Sequence, residues 1–306
     1  MNAIEIRNLS KSFRGMYAVD NLSMTVPVGS IYGFIGENGS GKSTTEKLIC
    51  GHLVPDKGDI KLFGKNYNDA GVRVRVGALI ENAGCFPNSS VRANLMMQAL
   101  NLGIENREEE IRRVLKIVRM EDSARIKFKS CSLGMKQRIG IAMALLGNPA
   151  LLILDEPING LDTDGMRIMR EILVDITQNL GCTVLISSHI LGELEKIATH
   201  YGIIRQGKMI QELSAQEMDS RARVFVSLKV RDMSGAKEVL SKKFATVKQE
   251  DDYLRVYDVE ETDAIVRLLM ESGHIVSQIK KNKIGLEEYY IELMSKKEEE
   301  INAERR

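Results

Sequence analysis

The stretch Gly36-Glu37-Asn38-Gly39-Ser40-Gly41-Lys42-Ser43-Thr44 constrains this chain more than any other. A short apolar run, Ile31 to Ile35, leads into it, and Thr45-Glu46-Lys47-Leu48-Ile49-Cys50 follows with the character of a helix. Glycines at 36, 39 and 41 let the backbone curl so that successive N–H groups converge on an anion. The helix behind adds the positive end of its dipole at the same point. The spacing G-x-x-x-x-G-K-S between strand and helix is that of a phosphate-binding loop. In such a loop Lys42 reaches the β- and γ-phosphates and the Ser43 hydroxyl holds Mg2+, while Asn38, Ser40 and Thr44 complete the cradle. The sequence therefore predicts a bound nucleotide.

Bulk properties narrow the partners. At 306 residues the chain has room for two domains. Forty-three basic residues against forty-two acidic ones leave a net charge of +1, which argues against a nucleic-acid partner. The basic clusters, Lys280-Lys281-Asn282-Lys283 and Lys296-Lys297, are short enough to be solvated surface. Cysteines 50, 85, 131 and 182 have no C-x-x-C spacing, so neither a metal site nor a disulfide framework is expected. No apolar run approaches the ~20 residues of a membrane-spanning helix, and the N-terminus has no basic-then-apolar leader pattern. A membrane role would have to be carried by a partner.

Along the chain, residues 1 to 35 read as strands, separated by Lys11 to Tyr17 and by the turn Pro27-Val28-Gly29-Ser30. A strand pair is expected around Ile60–Leu62 and Lys65–Tyr67, and the alternation Val72, Val74, Val76 with Ala78 to Ile80 predicts another strand. From Ser90 to Gly147 the period becomes helical, which marks an inserted helical subdomain over about 88–147. Ala150 to Leu154 returns to the sheet. A helix at 164–179, a strand at 183–186, a helix at 190–199 and strands at 201–205 and 208–211 follow, so a largely parallel sheet closes a first domain over 1–215. Residues 222–295 read β-α-β-β-α-β, the ferredoxin-like order, with a helix over 286–297 and a charged tail over 296–306.

The second half of the nucleotide site is Leu151-Leu152-Ile153-Leu154-Asp155-Glu156. Successive strand side chains point to opposite sides, so Asp155 can face Mg2+ while Glu156 turns toward an attacking water. One carboxylate for metal and one for water is a minimal set for phosphoryl transfer, which is mostly positioning and charge stabilisation.

Cys131-Ser132-Leu133-Gly134-Met135-Lys136-Gln137-Arg138 opens the last helix of the insertion. Here the chain resembles the ATP-binding subunit of an ABC transporter, whose signature reads L-S-G-G-Q-x-Q-R. Ser132, Gly134, Gln137 and Arg138 match, whereas Cys131, Leu133 and Met135 depart. The resemblance implies an α/β P-loop NTPase fold, the ABC ATPase, with an inserted helical subdomain and a small C-terminal α+β domain. It also implies ATP and Mg2+ as ligands. In that family the signature helix points at the γ-phosphate held by the opposite subunit, a role that would fall to Ser132 and Gly134. Gly160-Leu161-Asp162 resembles the D-loop, which contacts the other subunit's site. Ser187-Ser188-His189 resembles the switch segment, whose imidazole reaches the γ-phosphate and orients Glu156. Phe13 stands where an aromatic stacks on adenine.

Glu81 stands where most relatives carry a glutamine that touches Mg2+ and couples to the membrane partner. With Ser-Leu-Gly-Met-Lys-Gln-Arg, this substitution resembles ATPases of bacitracin and lantibiotic export, the self-protection systems. The resemblance covers about residues 1–212. It implies an ATPase that pairs with a second copy or a related chain and drives a separate transmembrane permease from the cytoplasmic face of the membrane. The segment Cys85-Phe86-Pro87-Asn88 to Met97 would be either permease contact or core. An alternative is a soluble ABC-type ATPase acting on ribosomes or DNA. Those relatives usually carry two cassettes or a coiled-coil insertion, and this chain shows neither repeat nor heptads.

Overall fold

A computed structural model describes the backbone of residues 1–259 and 261–304, and the side chains of these up to Lys297. The alternating first 27 residues form a long antiparallel hairpin, β1 (Asn2–Phe13) and β2 (Met16–Pro27). The connector expected over Lys11 to Tyr17 shrinks to Arg14-Gly15, because both residues take positive φ (50° and 82°). A two-residue turn of that hand matches the twist of the strands and lets pairing run to Phe13 and Met16.

β3 (Ile31–Ile35), buried at all five positions, delivers the chain to the phosphate loop and α1 (Lys42–Ile49). β4 (Lys57–Leu62) and β5 (Lys65–Asn66) extend the hairpin into an antiparallel sheet of order β2-β1-β4-β5. The strand expected from Val72 is instead one turn of helix, α2 (Ala70–Arg73), followed by the short β6 (Val76–Leu79). Asp69 accepts a hydrogen bond from the Val72 backbone N–H and starts that helix, while Val74, 76% exposed, has no buried face to join.

The helical insertion comprises α3 (Val91–Asn101), α4 (Arg107–Ile117) and α5 (Leu133–Leu145). The chain then runs through β7 (Leu151–Asp155), α6 (Thr163–Leu180), β8 (Thr183–Ser188), α7 (Leu191–Leu194), β9 (His200–Arg205) and β10 (Lys208–Ser214). The helix expected over 190–199 thus spans only four residues. The six-stranded sheet has the order β10-β9-β3-β8-β7-β6, parallel except where β10 pairs antiparallel with β9. Its central strands are apolar because both faces are covered. Tyr32, Phe34, Leu151 and Ile153 share one core with Ile4, Leu22, Ile60 and, from α1, Leu48 and Ile49, so the antiparallel sheet packs onto the parallel one. At Gly77 on β6 an added Cβ would fall 2.0 Å from the Ala144 carbonyl oxygen, so strand and α5 approach backbone to backbone.

Contacts divide the chain into Met1–Ala215 and Gln216–Arg306. α8 (Ala215–Arg221) ends the first unit and opens the second, which holds β11 (Val224–Val230), α9 (Met233–Ser241), β12 (Val247–Glu250), β13 (Tyr253–Tyr257), α10 (Thr262–Glu271), β14 (Val276–Lys283) and α11 (Leu286–Glu304). Its antiparallel sheet has the order β12-β13-β11-β14, the ferredoxin-like arrangement. Val226, Leu228, Leu254 and Val256 pack against Leu240, Ile265 and Leu269 of its helices. α11 stays helical to Glu304, past the expected end at Lys297, so most of the 296–306 tail is helix, and Arg305 and Arg306 lie outside the described residues. No helix among the described residues is long and apolar enough to cross a membrane.

Candidate active site

The phosphate loop is wedged in place by its glycines. An added Cβ at Gly36 would fall 2.5 Å from both the Ile204 carbonyl oxygen and Ser40 Oγ. Gly41 has φ 108°, a conformation side chains rarely adopt, and its Cβ would fall 2.4 Å from the Ala18 carbonyl oxygen. Gly207, in the turn between β9 and β10, donates its N–H to the Ser40 carbonyl at 2.8 Å. Asn38 and Gly39 form the exposed tip, while Ser43 and Thr44 sit half-buried in the first turn of α1, which contains no acidic residue. The positive end of the helix dipole is therefore uncompensated by its own side chains. Lys42 is buried, and its Nζ donates to the Gly36 carbonyl at 2.6 Å and to the Glu37 carbonyl at 3.1 Å.

Strands β7 and β8 bring the acids to this loop. Ser187 Oγ donates to Asp155 Oδ1 at 2.8 Å and accepts from the Glu156 backbone N–H at 3.1 Å. Glu156 has φ 50°, in the left-handed region, a strained conformation of the kind that clusters at functional sites. Its Oε1 lies 3.9 Å from Lys42 Nζ, and His189 Nδ1, as N–H, donates to its Oε2 at 2.8 Å. Lys42, Asp155, Glu156, Ser187 and His189 thus form one connected group. It can hold a phosphate, a cation and a water-activating carboxylate together.

Sequence reasoning missed Glu46. It is fully buried, and neither carboxyl oxygen has a hydrogen-bond partner. Burial, then the charge of Asp155, push this carboxyl up to about 8, with Ser187 and Lys42 partly opposing and Glu156 adding to the rise. The signal was present: Glu46 follows Lys42 by four residues and Ser43 by three, one helical turn beneath both.

The oxygen donors here, the Ser43 hydroxyl and Asp155 with the unpartnered Ser40 Oγ and Glu46 nearby in the loop and helix, suit a hard divalent cation such as Mg2+. No group of three or more His, Cys, Asp or Glu among the described residues could hold a metal ion by itself. Glu81, also named as a metal residue from the sequence, is exposed with φ 63°, and its Oε1 accepts from Lys47 Nζ at 2.6 Å. Phe13 is 45% exposed with Lys11 Nζ 5.7 Å from its ring centroid, so it is not a core residue.

Ser132, Gly134 and Asp162 gather in a groove of their own with Met135, Arg138 and Leu161. Ser132 caps α5 by accepting from the Met135 N–H at 3.3 Å, and Asp162 caps α6 by accepting from the Gly165 N–H at 2.8 Å. Two helix N-termini therefore open onto one surface. Arg138 donates to the Arg119 carbonyl at 3.0 Å and so ties α5 to the end of α4. The segment from Cys85 to Met97 divides: Val91 and Leu95 are core, whereas Phe86 is 59% exposed. Asn94 fixes the Phe86 loop, accepting from the Phe86 N–H at 2.7 Å and donating to the Ser90 carbonyl at 3.0 Å.

A parallel sheet that presents a phosphate loop and paired strand-end acids, with a helical insertion opening on a second anion-type surface, defines a P-loop nucleoside triphosphatase. Residues 19–159 match the ABC transporter family. The chain is 36% identical over 297 residues to the bacitracin transport ATP-binding protein BcrA of Bacillus licheniformis, covering 95% of this chain and 97% of that protein. It is 39% identical over 209 residues to the lantibiotic transport ATP-binding protein SrtF of Streptococcus pyogenes, covering 68% and 90%. The fold recurs in the dimeric ATP-binding cassette MJ0796 bound to ADP and phosphate, with a TM-score of 0.64 and 21% identity over 69% of this chain and 98% of that one. This chain belongs to the ABC transporter family as an ATP-binding subunit, and its activity is ATP hydrolysis. The likeness to BcrA spans so much of the chain that it reaches into the second unit, beyond residue 212, where the sequence resemblance was expected to stop.

Proposed function

We propose that this chain powers the export of a peptide antibiotic, of the bacitracin or lantibiotic type, through a separate membrane permease. The observation that carries the ATP-driven part of the proposal is the connected group Lys42–Glu156–His189, set apart from a signature groove that has no phosphate loop of its own. Two copies, or this chain with a related one, would face each other so that Ser132, Gly134 and Asp162 of one complete the site of the other. Within each site Lys42 and the loop N–H groups bind the triphosphate and Phe13 stacks on adenine. His189 holds Glu156, which takes a proton from the attacking water, and Asp155 with Ser43 would hold the cation. Mg2+ would supply charge neutralisation to the phosphates. The exposed Phe86, beside the half-buried Cys85, would meet a cytoplasmic segment of the permease and place the chain on the inner face of the membrane. The names of BcrA and SrtF support the cargo class.

The test is Glu156→Gln. ATP binding should persist and turnover should fall about 10²–10⁴-fold, with a stable ATP-bound dimer in light scattering. Mixing this variant with Ser132→Ala chains should leave mixed pairs with at most one competent site. Undiminished hydrolysis in Glu156→Gln would remove its role as base.

A further inference from the structure

We propose that Glu46 belongs to the cation end of the nucleotide site, where it accepts hydrogen bonds from the water shell of the divalent ion that accompanies ATP. The proposal rests on the ATP-binding reading and adds a residue to that site. Glu46 shares the face of α1 that carries Lys42 and Ser43, since residues three and four apart on a helix lie above one another. It is 0% exposed, and both of its oxygens lack a donor. The neighbours that could satisfy it are committed elsewhere. Ser187 Oγ gives its proton to Asp155, and the Lys42 ammonium donates to the Gly36 and Glu37 carbonyls.

A buried carboxyl with no partner is costly, and an apolar side chain of similar size would fit this helix face without that cost. What can offset it here is a set of strong donors carrying positive charge, introduced with the substrate. A hydrated Mg2+ is such a set, because the ion keeps several of its waters when protein and phosphate supply the remaining ligands. Glu46 would then meet the ion's waters from the helix side, across from Asp155 on the strand side. Groups that hold a metal's outer shell typically change its affinity about 10–100-fold when removed.

The experiment measures ATP affinity of the full chain with and without Mg2+, and with Mn2+, for the unaltered protein, Glu46→Gln and Glu46→Leu. The metal-dependent gain in affinity should fall about 10–100-fold in Glu46→Leu and by less in Glu46→Gln, which keeps an acceptor oxygen, while metal-free affinity stays within about threefold. An equal metal-dependent gain in all three proteins overturns the proposal. So does a loss of ATP affinity that is the same with and without metal, since that would make Glu46 a support for the loop. If Glu46→Leu fails to fold, Glu46→Gln decides alone. Failure of the unaltered protein to bind ATP would instead remove the nucleotide reading beneath it.

Discussion

Replacing Glu46 by leucine should remove an unusual dependence of stability on pH. In the folded chain this carboxyl titrates near about 8 rather than 4.5, because burial and the charge of Asp155 disfavour its ionised form. The folded protein therefore keeps a proton that the unfolded chain has lost. Stability from this group is complete below pH 4.5 and drains away as pH rises toward 8. At ~1.4 kcal/mol per pH unit, the interval from 4.5 to about 8 corresponds to about 5 kcal/mol, of which about 3 kcal/mol is gone by pH 7. The side chain is fully buried, so solvent screening takes little from this figure. Urea unfolding of the two proteins at pH 5, 6, 7 and 8 in EDTA-containing buffer isolates the group, since every other titration is common to both. Glu46→Leu should gain on the unaltered chain by about 3 kcal/mol between pH 5 and pH 8. Parallel stability curves across that range would refute the reasoning and mean that the carboxyl has a partner in solution.

Gly77→Ala drives a methyl group into the Ala144 carbonyl and should cost about 3 kcal/mol, the upper end for overpacking, because a backbone atom cannot turn aside. An unchanged thermal midpoint would show that α5 slides away from β6 at no cost. Glu81→Gln releases an exposed ion pair with Lys47 and should change stability by less than about 1 kcal/mol. ATPase activity should survive in that variant while coupling to transport changes. Equal protection against the proposed peptide cargo by both forms would count against a coupling role.

Much of the candidate nucleotide site is legible in the sequence because its parts are local. The loop, Asp155 and Glu156 each belong to a continuous stretch whose spacing carries the chemistry. The valine alternation at 72, 74 and 76 misled because alternation signals a strand only when one face is buried, and Val74 faces solvent while Asp69 caps a helical turn. Glu46 escaped notice for a different reason. A carboxylate in an amphipathic helix is normally read as the solvent face, and only the packing of α1 against β7 and its full burial reveal that this one points inward. The bonds from Ser187 to Asp155 and Glu156 span more than thirty residues of sequence and depend on the parallel pairing of β7 with β8. No local pattern encodes them.

That pairing has a mechanical side. Two residues at the end of β8 and just beyond it hold both acids: Ser187 grips Asp155 and the backbone of Glu156, and His189 grips the Glu156 side chain. A displacement of this strand end would pull on both carboxylates in one stroke, so the two roles proposed for Asp155 and Glu156 would stay in step. The arrangement resembles a two-pronged clutch with a single lever, in which one movement would release both prongs.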